Sequence, residues 1–248
     1  MRKFSHKQYC YLASFYDRLM NQEKYLEWGK LIKRAIKKYR VSKKICLDIA
    51  CGTGKITGIL LKQGFEVIGI DRSKEMLKIA RKNFPKAKFV KANMRNFKLE
   101  ERGVLAVSFY DSLNYLLTKN DLLKTFRAIS HNLEKGAIFL FDLNSQVHIT
   151  YAQKKKPEVA FGQDFYAIFN NSGTGKFWFL EIDLFIKQKN GLYKLFREKH
   201  VERGYAESEV IPLLKRAGFN LLETKSDKRA NGKNQKYKSR LYFITRKK

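Results

Sequence analysis

The residues best suited to chemistry lie in Asp48-Ile49-Ala50-Cys51-Gly52-Thr53-Gly54 and at Asp71, 23 positions after Asp48. The first stretch ends an apolar run and opens a helical pattern. Glycines at 52 and 54 let the chain turn tightly and bring its backbone close to a ligand without a Cβ in the way. Asp71 ends the next apolar run, where a carboxylate can take both hydroxyls of a ribose. A Gly-x-Gly pair alone is weak. A strand before it, a helix after it and an acid at the next strand tip together predict a nucleoside-containing cofactor rather than a merely tight turn.

Short apolar runs alternating with helices must position these residues. Strands are predicted at 44–49, 66–71, 88–92, 104–110 and 137–142. Helices are predicted at 55–63, closed by Gly64; from Ser73 to Asn83, stopped before Pro85; and from a cap at Asn120 or Asp121 to Leu133. This alternation predicts a parallel sheet covered on both faces, with its strand C-termini on one ligand-binding edge. Upstream, 8–39 reads as two helices broken near Met20-Asn21-Gln22. Downstream, 160–204 reads as three aromatic-rich antiparallel strands with turns at Asn171-Ser172-Gly173 and Asn190-Gly191. On one of them Phe177, Phe179 and Phe185 share a face and Trp178 takes the other. A helix from Glu207 or Ser208 to Gly218 and strands at 220–224 and 241–245 complete the chain.

In these residues the chain resembles the class I S-adenosylmethionine (SAM)-dependent methyltransferases. Leu47 to Gly54 matches their first motif, and Val67 to Asp71 with Ser73, Met76 and Leu77 their second. Phe89 to Met94 resembles the adenine-contacting segment, Phe109 to Leu116 the fourth-strand motif, and Gly136 to Phe139 the run into strand five. Ala13-Ser14-Phe15-Tyr16-Asp17, with Tyr25 and Trp28, is similar to the N-terminal cap of the small-molecule subgroup, which includes aminosugar N-methyltransferases.

The resemblance implies an α/β fold with a doubly wound, mostly parallel seven-stranded Rossmann-like sheet and a small antiparallel insertion after strand five. It divides the chain into a helical cap (1–44), a cofactor-binding core (45–150), an insertion or substrate lid (151–204) and a completion of the core with a basic end (205–248). It gives Asp48, Ala50 and Gly52, with Gly54, the methionine end of SAM, and Asp71 the ribose, with Arg72 beside it. Met76 would pack near the adenine, and Asn93 and the Met94 backbone would meet its edge, with Phe109 closing that end. Tyr16, Tyr25 or Trp28 would cover the methionine. Asn93 stands where the family usually has Asp, and its amide oxygen can still accept from the adenine amine. Asp111 and Tyr16 are the candidates for acting on a small acceptor with a nucleophilic N or O. No metal is implied: Asp111, Asp142 and Asn144 are too loosely spaced for a magnesium site. His148 can be a base or a surface histidine.

Two other readings compete. Gly52-x-Gly54-x-x-x-Gly58 also fits a nicotinamide loop, with Arg72 meeting a 2′-phosphate and Tyr115–Lys119 or Tyr151–Lys155 as a Tyr-x-x-x-Lys pair. The serine such enzymes place upstream is missing, since Arg102 and Ile138 stand 13 residues before the two tyrosines. An RNA or DNA substrate is the other. Tyr110-Asp111-Ser112-Leu113 lacks the prolines of a base-gripping loop, and no cysteine lies beyond Cys51 to attack a cytosine.

Composition sets the outer limits. The net charge is +29, with +10 in residues 1–44 and +9 in 225–248. That surface attracts anions but names no partner, so nucleic acid is possible and not favoured. Three cysteines without a Cys-x-x-Cys pair, no apolar core behind the first charges and no membrane-length apolar run predict a reduced, cytoplasmic protein. Cys51 reads as buried filler.

Overall fold

The computed structural model describes residues 3–5, 8–20, 22–42, 44–230 and 236–248. The strands are β1 (Lys3–Ser5), β2 (Ile45–Ile49), β3 (Glu66–Asp71), β4 (Lys88–Lys91), β5 (Gly103–Ser108), β6 (Leu133–Asn144), β7 (Glu158–Phe161), β8 (Phe165–Thr174), β9 (Phe177–Lys187), β10 (Tyr193–Arg203), β11 (Phe219–Ala230) and β12 (Lys236–Lys247). The helices are α1 (Ala13–Leu19), α2 (Gln22–Tyr39), α3 (Lys55–Lys62), α4 (Lys74–Asn83), α5 (Lys119–His131), α6 (Gln146–Ala152) and α7 (Glu207–Arg216).

The larger sheet has seven strands in the order β11-β12-β6-β5-β2-β3-β4. Its β2–β6 part is parallel, and the β11–β12 hairpin joins β6 antiparallel. Alternating residues of the central strands feed two cores. Leu47, Ile49, Phe139 and Phe141 meet Phe126 and Ile129 of α5 and Leu213 and Leu214 of α7. Cys46, Leu105 and Val107 meet Trp28 and Ile32 of α2 and Leu60 of α3. Burial on both faces is why these strands read as unbroken apolar runs.

The second sheet has five strands, β1-β10-β9-β8-β7. A third core joins it to the first helix: Leu12 and Phe15 pack on Phe165, Ala167, Ile182 and Leu184. Trp178 shares the even-numbered face of β9 with Ile182 and Leu184, while Phe177, Phe179 and Phe185 take the outer face, where Phe179 is exposed.

Local punctuation placed β3, α3 and α4 almost to the residue; Ser73 caps α4 by accepting from the Met76 N–H at 3.2 Å. Several expectations need correcting. The first helix begins at Ala13 rather than residue 8, because Tyr9 takes a left-handed backbone (φ 59°). Thr118, not Asn120 or Asp121, caps α5 through the Asp121 N–H at 3.0 Å. Asn171-Ser172-Gly173 lies inside β8, paired with Leu180, Phe179 and Trp178 of β9. The chain reverses instead at Gly175-Lys176, where Gly175 has φ 56°. The insertion sheet has five strands instead of three, because β7 adds one edge and β1 pairs parallel with β10 on the other. The closing strands are 12 residues each, and α6, capped by Ser145, follows β6 directly.

Candidate functional site

Backbone strain marks one edge of the large sheet. Ala50 (φ 57°) sits at the tip of β2, and Tyr110 (φ 62°) and Asp111 (φ 52°) follow β5. Left-handed geometry is uncommon away from glycine and collects where the surroundings enforce it for a purpose. Gly54 (φ 84°) opens α3, and a Cβ there would lie 2.8 Å from the Phe84 ring.

Asp71 is held from two sides: the Gly52 N–H donates to Oδ2 at 2.9 Å and the Ser73 N–H to Oδ1 at 2.8 Å. Burial nevertheless keeps its carboxyl above the usual range, against those two hydrogen bonds. Asp48 lies beneath the loop, 2% exposed, and accepts from the Thr57 hydroxyl at 2.6 Å. Burial pushes its carboxyl up to about 7; the Thr57 bond opposes the rise and the Asp71 charge adds to it. Asp17 of α1 accepts from the Thr53 hydroxyl at 2.6 Å and lies 3.4 Å from Lys55 Nζ. This latch sets the neighbouring Tyr16 over the loop.

A cavity of about 400 Å³ opens along this edge. Of the sequence candidates, Tyr16, Ala50, Gly52 and Asp71 line it, with Arg72, Met76, Asn93 and Met94 at its far side. A smaller cavity of about 40 Å³ adjoins it, sharing Tyr16, Ala50 and Gly52 and adding Asp48, Tyr25 and Phe109. Phe109 therefore stands with Asp48, at the opposite end from Asn93, because the strand tip turns it inward onto the Trp28 ring (5.5 Å). Trp28 lines neither cavity; at 1% exposed it is core beneath Phe109 and Tyr110. Gly54 also lies outside both linings. The Asn93 oxygen is turned to the Arg95 N–H (3.1 Å) and Nε (3.3 Å). The Arg72 guanidinium donates to the Gln8 side chain.

The left-handed backbone at Asp111 turns its carboxylate away from this wall, onto Arg240. Arg240 donates to Asp111 Oδ1 at 2.8 Å and to Asp142 Oδ2 at 2.5 Å. Burial works against the Arg240 charge, but Asp142 and Asp111 hold its proton far more firmly than usual. Asp142 is fully buried; that burial pushes its carboxyl up to about 6 despite Arg240. Glu202 joins the group, driven well above its ordinary range by burial and then by Asp111. His148 stands apart, 3.3 Å from the Tyr237 hydroxyl.

Several residues to which the methyltransferase resemblance gave no role converge here, Tyr115 having been named only as half of a Tyr-x-x-x-Lys pair. Tyr9 and Tyr115 line the larger cavity, and Glu198, His200 and Glu202 alternate along the inner face of β10. The period-two spacing Glu198-x-His200-x-Glu202 was the available signal.

The chemistry of the wall fits a SAM-sized ligand. Gly52 leaves open space where a Cβ would project, and Asp71 retains lone pairs beyond the two backbone bonds it accepts. Comparison with known proteins agrees. A family described as a methyltransferase domain matches residues 46–136. The methyltransferase-named protein YqeM of Bacillus subtilis (strain 168) is 33% identical over 221 residues, which cover 87% of this chain and 87% of that protein. The dTDP-3-amino-3,4,6-trideoxy-alpha-D-glucopyranose N,N-dimethyltransferase of Streptomyces venezuelae is 32% identical over 96 residues, 39% of this chain and 40% of that one. A crystal structure of a SAM-dependent methyltransferase from Clostridium acetobutylicum ATCC 824 superposes with a TM-score of 0.82 at 25% identity, covering 97% of this chain and 99% of that one. The glycine loop and the acidic strand tip thus stand in a seven-stranded sheet shared with enzymes that use SAM, and the chain belongs to the class I SAM-dependent methyltransferases.

Proposed function

We propose that the enzyme transfers a methyl group to a nitrogen of a small molecule, an amine-bearing sugar or close analogue. SAM supplies an electrophilic methyl group on a sulfonium. The observation that carries the acceptor reading is the polar wall beyond the glycine loop: the larger cavity is lined there by Tyr9, Tyr16, Tyr110 and Tyr115, with the Asp111 and Glu202 carboxyl groups behind them. Such a wall favours a compact cationic or hydrogen-bonding acceptor over an apolar one. The aminosugar activity for which the Streptomyces venezuelae relative is named supports the same class.

In this reading Asp48, Ala50 and Gly52 hold the methionine end, Asp71 the ribose, and Met76, Asn93 and Met94 the adenine, with Arg72 at the rim. Tyr16 and Tyr25 cover the methionine, Trp28 and Phe109 support them from below, and Gly54 shapes the loop. Tyr16 faces the acceptor from the cavity lining, and Asp111 stands behind that lining, held by Arg240. The cap at 1–44 and the insertion at 151–204 close over the core (45–150 and 205–248), in the cytoplasm. The positioning requirement for methyl transfer is mainly in-line approach in a partly dry site, and Tyr16 of α1 and Tyr9 before it cover the cavity on one side.

Release of S-adenosylhomocysteine with dTDP-3-amino-3,4,6-trideoxyglucose, free 3-amino and 4-amino sugars and bulk RNA tests this. Turnover of an amine with no label in RNA is the expected result; labelled RNA with every amine inert would overturn it. Separately, Asp71→Ala should weaken SAM binding by about 1.5–3 kcal/mol, the worth of lost charge-assisted hydrogen bonds. Calorimetric titration checks it, and unchanged affinity would remove Asp71 from the ribose.

A further inference from the structure

A chain of hydrogen bonds leads from the larger cavity into the protein. The Tyr9 and Tyr115 hydroxyls, both in its lining, are 2.6 Å apart. The Tyr115 hydroxyl is 3.0 Å from His200 Nδ1, and His200 Nε2 is 3.2 Å from Glu198 Oε2. His200 and Glu198 are each 2% exposed. Glu198 is anchored further by the N–H groups of Tyr9 (2.7 Å), Tyr11 (2.6 Å) and Leu12 (3.0 Å).

Counting donors gives the chain a direction. Burial alone would raise the Glu198 carboxyl, but the His200 bond and the Leu12 and Tyr11 N–H groups outweigh it and keep it a carboxylate. A carboxylate only accepts, so neutral His200 carries its proton on Nε2 and presents a lone pair at Nδ1. Tyr115 spends its single proton on that nitrogen, so Tyr9 must donate to the Tyr115 oxygen. The free lone pairs of Tyr9 then remain on the cavity side. The 3-10 turn Ser112–Tyr115 that carries Tyr115 is pinned to both sheets by Asn114, whose amide donates to the Asn144 oxygen at 3.0 Å and the Arg203 oxygen at 2.7 Å.

We infer that Tyr9, Tyr115, His200 and Glu198 form a proton relay that removes the proton an acceptor N–H gives up during methylation, which rests on the acceptor reading above. As the acceptor's new N–C bond forms, the C–S bond breaks and its electron pair stays on sulfur. The N–H proton passes to the Tyr9 oxygen, the Tyr9 proton to Tyr115 and the Tyr115 proton to His200 Nδ1. His200 ends as an imidazolium against the Glu198 carboxylate. Burial holds both tyrosines well above their ordinary range, so they pass protons on and do not rest as tyrosinates. Tyr9 and Tyr115 are the residues that can touch the acceptor; His200 and Glu198 position and drive them. The groups facing His200 are Glu198 and Glu202 on its own strand, Tyr115 on the 3-10 turn and Tyr9 before α1, with Leu180 opposite on β9.

The test compares Tyr115→Phe, His200→Gln and Glu198→Gln with the wild type, using dTDP-3-amino-3,4,6-trideoxyglucose as the probe amine. In Tyr115→Phe and His200→Gln, kcat is expected to fall about 10²–10³-fold, the usual worth of a general base, while KM and SAM affinity hold within about two-fold. Unchanged kcat in both variants, or a loss shared equally by SAM affinity, overturns the relay. If the probe amine is inert, the acceptor reading fails on its own, and ¹⁵N shifts of His200 decide the relay instead. The Nε2–H tautomer, lost in Glu198→Gln and perturbed in Tyr115→Phe, supports it; the Nδ1–H tautomer, or indifference to both substitutions, overturns it.

Discussion

Arg240→Met should cost about 3–5 kcal/mol of folding stability at pH 8, the range for removing one partner of a buried ion pair. Arg240 is the cation that faces Asp111 and Asp142 directly, at 2.8 and 2.5 Å, with Glu202 against Asp111 behind them. Methionine fills much of the same volume, so the loss reports the stranded carboxylates rather than a cavity. The cost should depend on pH. Burial already raises the folded-state Asp142 carboxyl to about 6, above its unfolded value, so Asp142 loses stability as pH rises toward 6 in the wild type. Without Arg240 that carboxyl rises further and the loss continues above pH 6, so the penalty is largest at pH 8 and shrinks toward pH 5. Urea unfolding at the two pH values measures both. A penalty under about 1 kcal/mol, or one equal at both pH values, would mean that water or a rearranged partner satisfies the carboxylates. Asp111→Asn in the Arg240→Met background should recover part of the loss, since it removes one of the stranded charges.

The same cluster shows where sequence reading stopped. The glycine-loop end of the cavity was legible because its determinants are local. Asp48 to Gly54 and Asp71 to Met76 sit at strand tips whose start, end and caps are written within a few residues of them. The hydrogen-bonded group beyond the glycine loop, Tyr9, Tyr115 and His200, is drawn from parts of the chain far apart in sequence that meet only through tertiary pairing. The pairing of β1 with β10 links Lys3 to Phe196, and no periodicity within either segment announces it. Tertiary pairing also overrode a local turn signal: Asn171-Ser172-Gly173 stays extended because β9 pairs every residue of it, and the Trp178 Nε1 donates to Asn171 Oδ1 at 3.0 Å. On α2, Tyr25 and Trp28 share a face at helical spacing, yet only Tyr25 reaches a cavity. Which of two neighbours faces ligand and which faces core depends on the strand beneath, and there Phe109 claims Trp28.

Asp48 is the second group whose burial should appear in solution. Its folded-state carboxyl is pushed up to about 7, above the ordinary value near 3.9, chiefly because the glycine loop seals it from water. Between those two values the unfolded chain gives up its proton while the folded chain keeps it, so ligand-free protein loses stability as pH rises from about 4 to about 7. Between pH 5 and pH 8 this amounts to about 2–3 kcal/mol. Asp48→Asn keeps an oxygen to accept from Thr57 and removes the titration, so its stability should change less over that interval by the same amount. Thermal or urea unfolding of ligand-free wild type and variant measures the difference, and parallel pH profiles would show that water reaches Asp48. The two carboxylates pull in the same direction, so the ligand-free enzyme should be most stable on the acid side of neutrality. A ligand bringing a cation to the smaller cavity would reverse the balance by making the charged form of Asp48 the favoured one. SAM binding near pH 7 should then release protons in the wild type and fewer in Asp48→Asn, which calorimetry in buffers of different ionisation enthalpy detects. Equal release from both proteins would place the cationic end of the ligand away from Asp48.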